Sequence, residues 1–215
     1  GTVAVTLDDD ASGTAVDSTI TNNAASGTFT VTNGSFADGD TINLAGTGAI
    51  TVNGLVANLS AATSTGVITI NAVDDVSITT GSAATTISET SGFTALVNAE
   101  ALADGILLTT SGAGSFTITN LLGDLTNSAT GTVALTLDGD DGAGAFDTTI
   151  TNNAASGSFT VTNGTFDGAD TITLDGSGAI TVNGLVADLS AATATGAITI
   201  NAVDDVSITT GSAAT

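Results

Sequence analysis

The sequence predicts an all-β chain, a parallel β-solenoid of tandem coils of about 22 residues each, and three observations predict it. A Gly-led phrase recurs along the chain, as Gly27-Thr-Phe-Thr-Val-Thr, Gly48-Ala-Ile-Thr-Val-Asn, Gly66-Val-Ile-Thr-Ile-Asn, Gly114-Ser-Phe-Thr-Ile-Thr and Gly131-Thr-Val-Ala-Leu-Thr. Within each phrase apolar and polar side chains alternate, so Ile50 and Val52 share one face of a strand while Thr51 and Asn53 share the other. The 215 residues include no Pro, as expected where almost every backbone N–H is donated to a neighbouring strand. One short strand cannot bury an apolar face by itself, but copies stacked on one another can.

A longer period lies over the short one. Residues 131–215 repeat residues 1–85 at an offset of 130, with an unbroken match of Ile198–Thr215 onto Ile68–Thr85. Residues 1–130 therefore read as one full solenoid repeat, and 131–215 as a partial second copy continuous with the first. Tandem β-sandwich repeats are the alternative; they account for the long period but not for the similar phrases inside it. The Gly-led strands begin at Gly1, Gly27, Gly48, Gly66, Gly92, Gly114 and Gly131. Six coils per repeat, at a strand spacing of about 4.8 Å, predict an axial advance of roughly 29 Å.

Each coil holds a second apolar segment: Thr41-Ile-Asn-Leu, Leu55-Val-Ala-Asn-Leu, Val76-Ser-Ile, Ile106-Leu-Leu and Leu121-Leu-Gly-Asp-Leu. In the first coil it is Ser18-Thr-Ile-Thr, after the acidic turn from Asp8 to Asp17. Gly, Asn, Asp and Ser fill the turns, residues that tolerate positive φ or bond their own backbone. One stretch, Ala95–Ala103, has helix-like spacing, with Leu96, Ala99 and Ala103 on one helical face.

Composition narrows the function. There are 20 Asp and 2 Glu, no Lys, Arg or His, and a net charge of −22. Nothing in the chain can neutralise phosphates, which argues against nucleic-acid partners. No apolar run approaches the ~18 residues of a membrane-spanning helix. With no Cys there is neither a disulfide nor a thiolate metal site. So acidic a surface suits an extracellular or cell-surface setting, where salt screens self-repulsion beyond about 8 Å. The absence of an initiator Met and the mid-repeat stop suggest a piece of a longer array.

The phrase Gly-x-Ile-Thr-Ile-Asn-Ala-x-Asp-Asp-Val-x-Ile, at Gly66–Ile78 and Gly196–Ile208, resembles the coils of filamentous-haemagglutinin-like bacterial adhesins. The resemblance implies a right-handed parallel β-helix in a large secreted bacterial protein. The amino-terminal secretion domain of that family has no counterpart in these residues. The chain also resembles acidic calcium-binding repeat proteins in composition, but their Gly-Gly-x-Gly-x-Asp motif is missing.

Catalysis is not expected, because general acid–base chemistry on sugars or acyl groups draws on His, Lys, Arg or aromatic platforms that this chain lacks. Calcium is the one cofactor the sequence suggests. Paired Asp in Gly turns supplies the oxygen ligands a hard cation wants, and Asp8, Asp10, Asp138 and Asp140 are the candidate ligands, set against a plain role for Asp in turns and solubility. A second candidate surface is a threonine face, with Thr30, Thr51, Thr69 and Thr117 in one outward column and Thr32, Asn53, Asn71 and Thr119 in the next. Such a face would suit a carbohydrate or ice ligand; its plain reading is strand propensity. Asn33, Asn58 and Asn163 match the N-glycosylation pattern.

The expected function is structural: an extracellular stalk, filament or adhesin shaft made stiff by stacked coils, its partners being like subunits or adjacent repeats joined head to tail. The alternative is a calcium-dependent or ligand-binding surface module.

Overall fold

The computed structural model describes residues 1–8, 14–37, 39–139 and 145–211. Among them are twenty-one strands and no helix. In chain order these are β1 Thr2–Leu7, β2 Asp17–Thr21, β3 Thr28–Asn33, β4 Thr41–Gly46, β5 Ile50–Leu55, β6 Asn58–Ser64 and β7 Ile68–Ala72. Next come β8 Val76–Thr79, β9 Thr85–Glu89, β10 Thr94–Asn98, β11 Leu107–Gly112, β12 Ser115–Leu121, β13 Asp124–Asn127 and β14 Val133–Leu137. The remainder are β15 Asp147–Asn152, β16 Phe159–Thr162, β17 Thr171–Asp175, β18 Ile180–Leu185, β19 Asp188–Ser190, β20 Ile198–Ala202 and β21 Ile208–Thr209.

The chain is a parallel β-solenoid. Odd-numbered strands form one sheet, here the odd sheet, and even-numbered strands form the other, the even sheet. Every strand pairs in parallel with the one two places along, so each coil contributes one strand to each sheet. Both sheets run without interruption through the 130-residue boundary, by β12–β14 on one side and β13–β15 on the other. The expectation of sandwiches is thereby discarded, since no sheet closes within a repeat.

Alternation does what the sequence pattern required. Ile50, Val52, Ile68 and Ile70 point inward from the odd sheet, and Ile42, Leu44, Leu59, Val76 and Ile78 from the even sheet, all buried in one continuous core. Burying each such side chain contributes roughly 1.5–3 kcal/mol relative to exposure. The odd-sheet strand β5 carries one extra residue at Gly54, with φ of 64°, and its register with β7 shifts between Asn53 and Leu55. The bulge turns Leu55 back into the core, and only Gly takes that φ without cost.

Two expectations need correcting. Ala95–Ala103 is not helical: Thr94–Asn98 is strand β10, with Ala95 and Val97 inward and Leu96 outward at 51 % exposure. Its helix-like spacing came from one strand run into the following turn. The coil count also changes. The copy of β1 at an offset of 130 is β14, thirteen strands later, so a repeat holds six and a half coils rather than six. The missed element is β9, Thr85-Thr-Ile-Ser-Glu. Its inward positions are Thr85, Ile87 and Glu89, so only one bulky apolar residue marks it. The corrected axial advance is about 31 Å per repeat at 4.8 Å per coil.

Because thirteen is odd, every copy lies on the opposite sheet. The strands β1, β3, β5 and β7 are in the odd sheet, while their counterparts β14, β16, β18 and β20 are in the even sheet. The repeat is thus related to the next by a half-turn about the axis.

Candidate functional site

Outward-pointing positions of the odd sheet bring seven threonines into one unbroken column: Thr30, Thr51, Thr69, Thr86, Thr109, Thr126 and Thr151. Each is half-buried by its neighbours in the ladder. Strand geometry sets the spacing of the column, about 4.8 Å between successive hydroxyls. The neighbouring outward column runs Thr6, Thr32, Asn53, Asn71, Ser88 and Ser111. Within it Asn71 Nδ2 donates to Asn53 Oδ1 at 2.8 Å, and the copy repeats this as Asn201 to Asn183 at 2.7 Å. Sequence reasoning grouped Thr30, Thr51 and Thr69 correctly. It misplaced Thr117 and Thr119, which lie on the even sheet, opposite Leu96 and Asn98. Skipping β9 caused the error, because missing one strand exchanges the sheets.

The even sheet carries a less regular face. A shallow groove of about 340 Å³ is lined by Asn58, Asp75, Val76, Ser77, Thr94 and Leu96.

Of the four candidate calcium ligands, Asp10 and Asp140 lie outside the described residues. Asp8 and Asp138 follow β1 and β14, so they occupy equivalent corners at opposite ends of a half-turn and do not share a site. Asp138 Oδ1 accepts from Thr165 Oγ1 at 2.6 Å. Among the described residues no group of three acidic side chains is placed to hold a metal ion.

Elsewhere the acidic residues act as fasteners between backbone segments. Asp40 accepts from the N–H of Val16 and of Ala37, and Asp170 repeats this with Phe146 and Asp167. Asp75, Asp124 and Asp188 each accept a backbone N–H from a later coil, at Thr94, Thr149 and Ser207. A hydrogen bond accepted by an ionised carboxylate is shorter and roughly twice as strong as one between neutral groups.

Two of the three glycosylation matches are structural instead. Asn33 is buried, donates from Nδ2 to Phe36 O and accepts at Oδ1 from Val56 and Ala57 of the next coil. Asn163 does the same with Phe166, Val186 and Ala187. The recurring Asn-Gly-x-Phe of residues 33–36 and 163–166 is the signal for this corner.

One titratable group stands apart. Glu89 is 1 % exposed, Oε1 accepts from the Thr90 N–H at 2.8 Å, and Oε2 is buried without a partner. Burial pushes its carboxyl up to about 7, against the lowering effect of the Thr90 bond, and Asp75 and Asp74 raise it further. Nothing in the sequence pattern marked Glu89, because a lone Glu beside Thr and Ser reads as a solvated turn.

Comparison of the chain with protein-family models, with curated proteins and with solved structures found no match.

Proposed function

We propose that the protein is a structural element, an extracellular or cell-surface stalk or fibre of bacterial adhesin type, lengthened by head-to-tail stacking of like coils. One observation carries this reading: every coil stacks on a like coil, and both sheets pass through the 130-residue boundary without a break, so one repeat continues directly into the next. Val3 in β1 is 48 % exposed, while its copy Val133 in β14 is 1 % exposed. Ile208 in β21 is 41 % exposed, while Ile78 in β8 is 2 % exposed. The coil that covers each internal copy has a sequence of this same kind, so stacking on a like coil, whether of the same chain or of another, would cover Val3 and Ile208 as it covers Val133 and Ile78. Among the described residues β1, β2, β20 and β21 each pair with a strand on one side only, and an edge strand of this kind takes on a further strand through directional hydrogen bonds.

An internal template supports the geometry. Strand β12 stacks on β14 with Phe116 opposite Val133 and Ile118 opposite Leu135. Strand β20 resembles β12 and β1 is the copy of β14, so β20 on β1 would place the same side-chain classes in contact. The acidic corners oppose side-by-side association, and salt screens that repulsion beyond about 8 Å without weakening backbone pairing. The test is electron microscopy and light scattering at physiological salt over a concentration series. Rods of one width whose length grows with concentration are expected; compact monomers at all concentrations would sink the reading.

A second reading rests on the seven-threonine column. A regular hydroxyl-and-methyl column is suited to a ligand that is itself a repeating surface, such as ice or a crystalline carbohydrate. Thermal hysteresis and polysaccharide pull-down test it, with Thr86→Lys as the variant that should abolish binding while leaving the solenoid folded.

A further inference from the structure

Three corners of the solenoid share one design. At two of them an inward Asn lies over a Gly-x-Gly segment of the next coil: Asn22 over Gly46-Thr47-Gly48, and Asn152 over Gly176-Ser177-Gly178. A Cβ on Gly48 or Gly178 would strike the Asn carboxamide. Each carboxamide uses both of its ends. Oδ1 accepts from the N–H of Ala24 or Ala154, and Nδ2 donates to the carbonyl of Ala49 or Ala179, at 2.9 Å in both copies.

The third corner has the same glycines, Gly112-Ala113-Gly114, but Glu89 stands where the others have Asn. A Cβ on Gly114 would strike Glu89 Cγ. The backbone matches as well: Gly114 N–H donates to Glu89 O, as Gly48 and Gly178 donate to Asn22 O and Asn152 O. Oε1 of Glu89 plays the part of the Asn Oδ1, accepting a local N–H, while Oε2 takes the place of Nδ2 and has no partner. By position, the carbonyl corresponding to Ala49 and Ala179 is that of Ser115.

A carboxylate has only acceptors to offer there, whereas a carboxylic acid has one acceptor and one O–H donor, the pattern of a carboxamide. The chain contains no cationic side chain to neutralise a buried carboxylate. The charged groups acting on Glu89 are Asp75 and Asp74, in the turn after β7, and both favour the proton. The strands around it, β7, β10, β11 and β12, contain no charged residue.

We propose that Glu89 is built into the fold as the protonated acid, a carboxamide mimic donating to the Ser115 carbonyl, and that loss of its proton loosens this corner, giving the solenoid a pH-responsive joint. Upward displacement of the carboxyl to about 7, from its ordinary 4.5, agrees with this geometry. Between those values the native state keeps a proton that the unfolded chain has released, so stability falls as pH rises through that window and levels off above it.

Carboxyl carbon NMR of the wild-type protein and thermal melts of the wild type and Glu89→Gln, each from pH 4.5 to 8, test the proposal. The Glu89 signal should titrate near pH 7, and the wild-type Tm should fall relative to that of Glu89→Gln by several degrees across the window, since Gln keeps the donor at every pH. A Glu89 signal titrating in the ordinary carboxylate range would overturn the proposal, as would parallel pH profiles for the two proteins. It would also be overturned if calcium at pH 8 raised the wild-type Tm but not that of Glu89→Gln, since a cation would then hold the carboxylate. The NMR titration decides the matter even if Glu89→Gln does not fold.

Discussion

Asn127 Nδ2 donates to Asn152 Oδ1 at 2.9 Å, in the buried interior, across the boundary between the first repeat and the second. The bond is one link of a ladder: Thr110 Oγ1 donates to Asn127 Oδ1 at 2.8 Å, and Asn152 Nδ2 donates onward to Ala179 O. Three successive coils of the odd sheet are tied by side chains as well as by backbone. Asn127→Leu removes the middle link and leaves the Thr110 hydroxyl and the buried Ala129 N–H without the acceptor they share, while Asn152 Oδ1 keeps the N–H of Ala154. Each buried group so orphaned costs about 1–3 kcal/mol. The expected result is a loss of roughly 2–4 kcal/mol in denaturant unfolding; a loss under about 0.5 kcal/mol, the scale of an ordinary surface substitution, would mean the ladder does not matter.

These ladders mark where sequence reasoning stops. Alternation such as Ile50-Thr51-Val52 is legible because period two leaves little choice of which side chain is buried. Asn is ambiguous. It fills exposed turns as readily as it fills an interior corner, and Asn127 in Leu-Thr-Asn-Ser carries no local mark of burial. The same ambiguity hid β9, where Thr85 and Glu89 take inward places usually held by Val or Ile. Of the expected site, the start of the threonine column was legible, and its continuation through Thr86 and Thr109 was lost with that strand. The acidic turns were visible, but their work, accepting N–H groups from other coils, depends on three-dimensional register.

Asp170 accepts the N–H groups of Phe146 and Asp167, and its copy Asp40 makes the equivalent pair. Asp170→Ala should lower stability by about 1–3 kcal/mol through loss of these partners, a Tm drop of several degrees for a chain of this length. That drop should be the same in excess calcium and in excess chelator, and chelator alone should leave the wild-type Tm unchanged. A wild-type Tm that falls in chelator would instead support the calcium role expected of Asp8, Asp10, Asp138 and Asp140, because an ion bound only to the native state stabilises it by mass action.

Val3 and Val133 are the same residue of the repeat in two settings, at an end and inside. Val133→Lys puts an unpaired ammonium into the core and should unfold the neighbouring coils, with a cost above about 3 kcal/mol. Val3→Lys places the same charge on an end face and should change the stability of the isolated chain by less than about 0.5 kcal/mol. It should nevertheless shorten any rods formed at physiological salt. Equal stability losses for the two variants would contradict the end-coil assignment, and undiminished rods with Val3→Lys would contradict assembly through β1.

The half-turn between repeats can be measured directly. The chain has no Cys, so introduced cysteines can be spin-labelled uniquely. Thr51 and Thr151 belong to one outward column of the odd sheet, five coils apart through Thr69, Thr86, Thr109 and Thr126. Their backbone separation should be about 24 Å, and labels at both should stand on one face. Thr181 is the repeat copy of Thr51, yet it lies in β18 of the even sheet. From Thr51 it should be about 31 Å away along the axis, with the two-sheet thickness of about 10 Å added crosswise and its label on the opposite face. A repeat of six whole coils would instead put Thr51 and Thr181 in one column at about 29 Å. Label-to-label distances from electron spin resonance separate the two arrangements, since labels on opposite faces add their own lengths to the crosswise term. If the half-turn holds, any ligand that recognises one face of a repeat meets the next copy of that face on the other side of the rod. Successive ligands on an array would then alternate sides, which a single-faced stack of whole coils would forbid.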